Sequence, residues 1–88
     1  PTILKDGSDY YMTHSSFEFH PGLLIWHSRD LGNWTPVTRA VVNQSGSIWA
    51  PEMIRHNGKY LIYYPAAGEN WVITADLPRG PWTAPQAI

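Results

Sequence analysis

PTILKDGSDYYM (1–12) lies without gaps over PEMIRHNGKYLI (51–62), pairing Pro1 with Pro51, Ile3 with Met53, Lys5 with Arg55 and Tyr10 with Tyr60 at a shift of 50 residues. A second match sets IWHSRDLGNWT (25–35) over ITADLPRGPWT (73–83), pairing Ile25 with Ile73, Trp34 with Trp82 and Thr35 with Thr83 at a shift of 48. The chain is therefore read as two units of about 49 residues in tandem, each with room for four short strands and an aromatic near its end, which is the form of a β-propeller blade. The alternative is two hairpins alike by chance. A propeller ring needs at least about four blades, so two units alone leave open faces and exposed strand edges. The sequence reads as part of something larger.

Apolar and aromatic residues come in runs of four to eight with many β-branched members, the pattern of strands. Strands are expected over 2–5, 9–16, 23–28, 36–42, 52–56, 59–65 and 70–76, with turns at Asp6-Gly7, Pro21-Gly22, Asn57-Gly58 and Arg79-Gly80-Pro81. No window of ten residues holds a clean helical period, and eight prolines oppose a long helix. The expected class is all-β.

Composition narrows the partners. The net charge is -1 with 15% charged residues, and the six Lys and Arg are scattered, so there is no basic stripe to track phosphates and a nucleic-acid partner is not expected. The longest apolar runs, LLIW (23–26) and YLIYY (60–64), fall far short of the roughly 20 residues of a membrane helix. With 88 residues and no cysteine, a modest core has neither disulfide nor thiolate metal site to reinforce it. Residue 1 is Pro, and the start has no charged and apolar leader pattern, so it reads as a cut.

The blocks SSFE (15–18), PGL (21–23), HSRDLGNW (27–34), WAPE (49–52) and ADLPRGPW (75–82) occur in one order and spacing that resembles the first two blades of glycoside hydrolase family 43. The resemblance covers nearly all of the chain. It implies part of a five-bladed β-propeller catalytic domain, in repeat units of about 1–48 and 49–88 and truncated at both ends, from an inverting enzyme that cleaves xylosidic or arabinofuranosidic bonds of plant cell-wall glycans. Inversion needs one carboxylic acid to protonate the leaving group and one carboxylate to activate water. By the resemblance, the general base is the residue before Pro1, the Asp that tunes the acid lies just beyond Ile88, and the acid, a Glu, lies one blade later. No catalytic residue is thus expected within the 88, and the chain alone is expected to be inactive and poorly folded. The alternative is a non-catalytic carbohydrate-binding or structural propeller module that kept the scaffold without the carboxylates.

The expected substrate-binding residues are Trp49, Ala50, Phe17 and Glu52. An indole face stacks on the C–H face of a sugar ring while the hydroxyls keep polar partners, and the resemblance puts Trp49 on the pocket wall, against the reading of a core Trp. A small Ala50 lets the sugar approach the backbone. Phe17 matches an aromatic that borders the site in xylosidase-like members. Glu52 is expected to neighbour the catalytic groups, either touching substrate or bonding backbone or an Arg near the axis, and Glu18 to be a solvated loop charge at the rim. Asp6, Asp9, Asp30 and Asp76 fall at turns, where they are expected to cap backbone N–H groups. Trp34 and Trp82 recur at equivalent places and read as structural, while Trp26, Trp71 and the tyrosines read as cross-strand pairs and inter-sheet filling. The histidines at 14, 20, 27 and 56 lack metal-ligand spacing, so they are read as satisfied or surface residues and no metal site is expected. Calcium enters by family analogy alone. The expected partner is a xylo- or arabino-oligosaccharide, with no cofactor, no nucleic acid and no membrane.

Overall fold

The structure, a computed structural model, describes residues 2–14, 23–40, 50–66 and 68–88. Among these, eight strands form two four-stranded antiparallel sheets, each in simple chain order. The first sheet holds β1 (Thr2–Asp6), β2 (Asp9–Thr13), β3 (Leu24–Ser28) and β4 (Thr35–Arg39); the second holds β5 (Glu52–His56), β6 (Lys59–Ala66), β7 (Glu69–Ala75) and β8 (Gln86–Ala87).

The repeated stretch becomes the same hairpin twice. Asn57 and Gly58 are both left-handed, at φ 51° and 76°, as a two-residue turn that follows the twist of its strands requires. This sets the register of β5 and β6 from His56↔Lys59 to Glu52↔Tyr63. In the first sheet Gly7 (φ 62°) makes the corresponding turn, and β1 pairs with β2 from Asp6↔Asp9 to Thr2↔Thr13, the same register 50 residues earlier.

Cross-strand partners share a face. Met53, Ile62 and Ile73 are partners in the second sheet, and with Tyr60, Tyr64 and Ala66 they form its buried face. Leu23, Ile25, Leu4, Tyr11 and Val37 of the first sheet pack against them, and the rings of Tyr11 and Tyr60 meet edge to face at 6.2 Å. The core is therefore the seam between the sheets. Ile25, Ile62 and Ile73 are wholly buried there, each contributing about 1.5–3 kcal/mol by leaving water. The outward faces differ: Ile3, Met12 and Trp26 line one, with Ile3 exposed, and Glu52, Tyr63 and Val72 line the other, with Tyr63 exposed.

Several expectations need correction. The second strand ends at Thr13, with His14 already outside it, and the fourth runs over 35–39, with Ala40 outside it; the expected extensions over 15–16 and 41–42 lie outside the described residues. Pro36 is tolerated inside β4 because β4 is an edge strand, and a β-bulge shifts the register beside it. The eighth strand, β8, was not expected, since two exposed residues after Pro85 carry no alternation. It is held through Trp71↔Ala87, Val72↔Gln86 and the Ile88 N–H on the Asn70 carbonyl at 3.0 Å.

Of the four aspartates expected to cap turns, only Asp30 does so. Its carboxylate accepts the backbone N–H groups of Gly32 (2.9 Å) and Asn33 (2.8 Å). Asp6 and Asp9 instead face each other across the hairpin, where like charges repel, and each turns to a side chain elsewhere. Asp6 lies 3.7 Å from Arg55 and accepts the Tyr60 hydroxyl, and Asp9 lies 2.7 Å from His27. Asp76 pairs with Lys59 at 2.8 Å.

Candidate functional site

The turn into β5 is the part of the expected sugar site that the structure describes. Ala50 sits at φ 34°, in the left-handed region, where a residue with a Cβ is strained by about 1–2 kcal/mol and where a following proline is an added restriction. Pro51 is buried and anchors the turn, while Ala50 and Glu52 on either side of it are exposed. Glu52 opens β5 directly across from Tyr63, a residue 38% exposed, so a carboxylate and an aromatic side chain stand side by side on one sheet face. Such a pair can offer a hydroxylated ring a hydrogen-bond acceptor and an apolar platform. Glu52 makes no ion pair among the described residues. Trp49, Phe17 and Glu18 lie outside the described residues, as does His20.

The Trp34 indole N–H donates to the Leu31 carbonyl (3.2 Å) and that of Trp82 to the Pro78 carbonyl (2.9 Å), so both repeat tryptophans fasten the loop before them. Trp71 donates to the Ala66 carbonyl at 2.9 Å. His14 accepts the Trp26 indole N–H through Nε2 at 3.3 Å, which places the ring proton on Nδ1. Among the described residues no three His, Asp or Glu side chains converge on one point, so these residues offer no metal cage of their own.

A cleft of about 420 Å³ opens at the other end of the sheets. The Asp6 contacts to Arg55 and Tyr60 bring the ends of β1 and β5 together, and the cleft lies on that side, about 17 Å along five strand residues from the Ala50-Glu52 turn. Asp9, His27 and Arg29 line it from the first sheet, and Leu77, Pro78 and Arg79 from the loop after β7. The His27 hydrogen bond is the main cause holding the Asp9 carboxyl below its usual range, with Arg29 adding to it against desolvation. Sequence reading missed this group by treating Asp9 as a turn cap and the arginines as scattered charge. The signal lay in the register: Tyr11 pairs with His27, which places Asp9 within diagonal reach of that ring.

With this geometry in place, the comparisons with known proteins are direct. The family model described as glycosyl hydrolases family 43 matches residues 1–88. A xylosidase/arabinosidase 43B of Humicola insolens is 36% identical, over 97% of this chain and 19% of its own length. The non-reducing end α-L-arabinofuranosidase BoGH43B of Bacteroides ovatus is 32% identical, over 97% of this chain and 19% of its own length. The crystal structure of a xylan β-1,4-xylosidase from Bacillus halodurans superimposes with a TM-score of 0.84 at 34% identity, covering 99% of this chain and 20% of that one. The chain thus spans about a fifth of the length of the curated relatives it matches. Its two sheets are two four-stranded blades of the five-bladed β-propeller of those neighbours. By sequence along its whole length and by fold, the chain belongs to glycosyl hydrolases family 43.

Proposed function

We propose that these blades form part of the catalytic domain of an inverting glycoside hydrolase that acts on xylosidic or arabinofuranosidic bonds, in units of about 1–48 and 49–88. The observation that supports this reading most is the family match over all 88 residues, joined to relatives that are a xylosidase/arabinosidase and an α-L-arabinofuranosidase. In this reading the blades supply the pocket wall rather than the acid and base. Trp49 stacks on the sugar ring, Ala50 admits it to the backbone, Phe17 borders it, and Glu52 accepts from its hydroxyls. The catalytic carboxylates come from the residue before Pro1 and from beyond Ile88. Separation of the acid and base by about 6.5–9.5 Å then leaves room for the attacking water and gives inversion.

The experiment is hydrolysis of an aryl β-D-xyloside and an aryl α-L-arabinofuranoside by the full-length enzyme to which these blades are assigned, with the first-formed anomer followed by proton NMR. Hydrolysis with an inverted product is expected, and Trp49→Ala should raise KM by about tenfold or more through lost stacking. Sugar binding without any hydrolysis would replace this reading with the non-catalytic module.

A further inference from the structure

We propose that the cleft between the first sheet and the loop after β7 binds a small organic acid, a carboxylate carried on a compact hydroxylated ring, at a place separate from the sugar turn. This does not rest on the hydrolase reading, because the two places lie at opposite ends of the blades.

The cleft has two unlike walls. Val37, Leu77 and Pro78 make one apolar side, and Leu77 is 46% exposed there. The other side carries charge. Asp9 Oδ1 is occupied twice, by His27 Nε2 at 2.7 Å and by Arg29 Nε at 3.4 Å. Because Arg29 meets Asp9 through Nε, its two terminal nitrogens have no partner among the described residues, and its side chain is 79% exposed. Arg79, on the facing loop, has no carboxylate partner among the described residues either, although it lines the same cleft.

Two arginines and one carboxylate that is already engaged thus line the cleft. The excess positive charge selects an anion, and the planar fork of arginine matches a carboxylate with two parallel hydrogen bonds. Val37, Leu77 and the Tyr11 ring offer contact to carbon atoms, which a bare inorganic ion would leave unused. A volume of about 420 Å³ falls in the range of sites for small organic ligands. Tyr11 and Thr35 also line the cleft, and their hydroxyls, that of Thr35 already reaching the His27 carbonyl at 3.5 Å, can accept from ring hydroxyl groups.

The test uses the full chain with D-glucuronate as probe, followed by calorimetry and by the methyl resonances of Leu77. Saturable binding that shifts Leu77 is expected. Arg29→Gln and Arg79→Gln, both on exposed side chains, should each weaken it at least about tenfold by removing a charged donor. Thr35→Trp, which fills the cleft without touching its charges, should block it. D-glucose should fail to compete, and Arg79→Gln should leave glycosidase activity unchanged. Equal binding of D-glucose, equal binding of inorganic phosphate, or glucuronate binding that survives both arginine variants would each overturn the proposal. A Trp49→Ala chain whose KM for hydrolysis rises yet which keeps glucuronate binding would separate this site from the sugar turn.

Discussion

Ile3 and Met53 hold the same place in the two sheets, opposite Met12 and Ile62 respectively, yet Ile3 is 52% exposed and Met53 only 2%. Their strands are alike in length, register and turn. What differs is the neighbour: the face with Met53 and Ile62 lies against the first sheet, while the face with Ile3 and Met12 has no second sheet against it among the described residues. In the blade architecture, burial belongs to the seam between sheets and not to the strand. The repeat therefore encodes apolar residues for both faces of a blade, and each face is stabilised only when another blade closes over it.

The largest effect should come from the seam. Ile62→Ala removes a wholly buried side chain and is expected to cost about 2–5 kcal/mol through lost transfer energy and a residual cavity. Met12→Ala, at the repeat-equivalent but half-buried position, should cost less than about 1 kcal/mol in the 88-residue chain. Urea unfolding followed by tryptophan fluorescence compares the two directly. Equal losses would break the comparison, and a loss at Met12 that grows when further blades are present would sharpen it.

Next come the glycines of the second repeat match, Gly32 and Gly80. Gly80 has φ 89°, and a Cβ there would meet the Trp82 backbone nitrogen at 2.9 Å and its Cδ1 at 3.0 Å. Gly32 has no left-handed φ, and its nearest atom would be Asp30 Oδ1 at 3.9 Å. Gly80→Ala should destabilise by about 1–3 kcal/mol, while Gly32→Ala should fall within about 0.5 kcal/mol of the parent. The same unfolding measurement decides it, and a tolerant Gly80 would mean that the Trp82 loop yields.

These pairs also show what the sequence could reveal. The hairpins were legible because Asn57-Gly58 and Gly7 dictate turn geometry locally and the apolar alternation then fixes register. Trp34 and Trp82 were legible because recurrence marks a structural role, and both indoles do fasten their loops. β8 was not, because two exposed residues after a proline gain their place from β7 and not from their own pattern. The partners of Asp6 and Asp9 were hidden for a related reason. Arg55 reaches Asp6 across the seam and His27 reaches Asp9 from a third strand, so both depend on tertiary placement. Ala50 and Glu52 were read as pocket residues, and the left-handed backbone at Ala50 was not foreseen, since alanine seldom signals a left-handed residue.

A smaller effect separates Tyr60 from Tyr10. The Tyr60 hydroxyl donates to Asp6 across the seam, whereas Tyr10 lies on the outward face, 5.9 Å from the Lys5 ammonium. Tyr60→Phe is expected to cost about 1 kcal/mol, and Tyr10→Phe a few tenths at most. Burial first, then the Asp6 carboxylate, pushes the Tyr60 phenol up to about 12. A raised value in the fold means that the protonated phenol is favoured there, so its contribution is complete below about pH 10 and is lost as the pH climbs through 12. Tyr64, pushed up to about 12 by burial, adds to the same alkaline loss. Urea midpoints between pH 9 and 12 should therefore fall less steeply for Tyr60→Phe than for the parent chain, and parallel curves would remove Tyr60 from the account.

The smallest effect belongs to the loop where the blades differ most in chemistry. Asp30 stands where the second unit has Pro78, and it holds its loop with a carboxylate that accepts from Asn33, Gly32 and Ser28. The Asn33 backbone bond is the largest cause that sets its carboxyl far below the ordinary 3.8. Because the folded value is depressed, the ionised form is favoured in the fold. Its contribution is present above about pH 4 and is lost as the pH falls toward the lowered value. Asp30→Asn keeps one acceptor oxygen and removes the charge, so it should lower the urea midpoint slightly at pH 6, with the gap to the parent closing as the pH is taken down to 2. A gap that stays constant over that span would mean that loop shape, and not the carboxylate charge, does the holding. The second blade makes this informative, since its loop is fastened by the Trp82 indole on the Pro78 carbonyl without any carboxylate at that position. A blade corner can thus be closed by indole and backbone N–H donors without a carboxylate, and Asp30 adds to the first corner a pH-dependent increment that the second does not have.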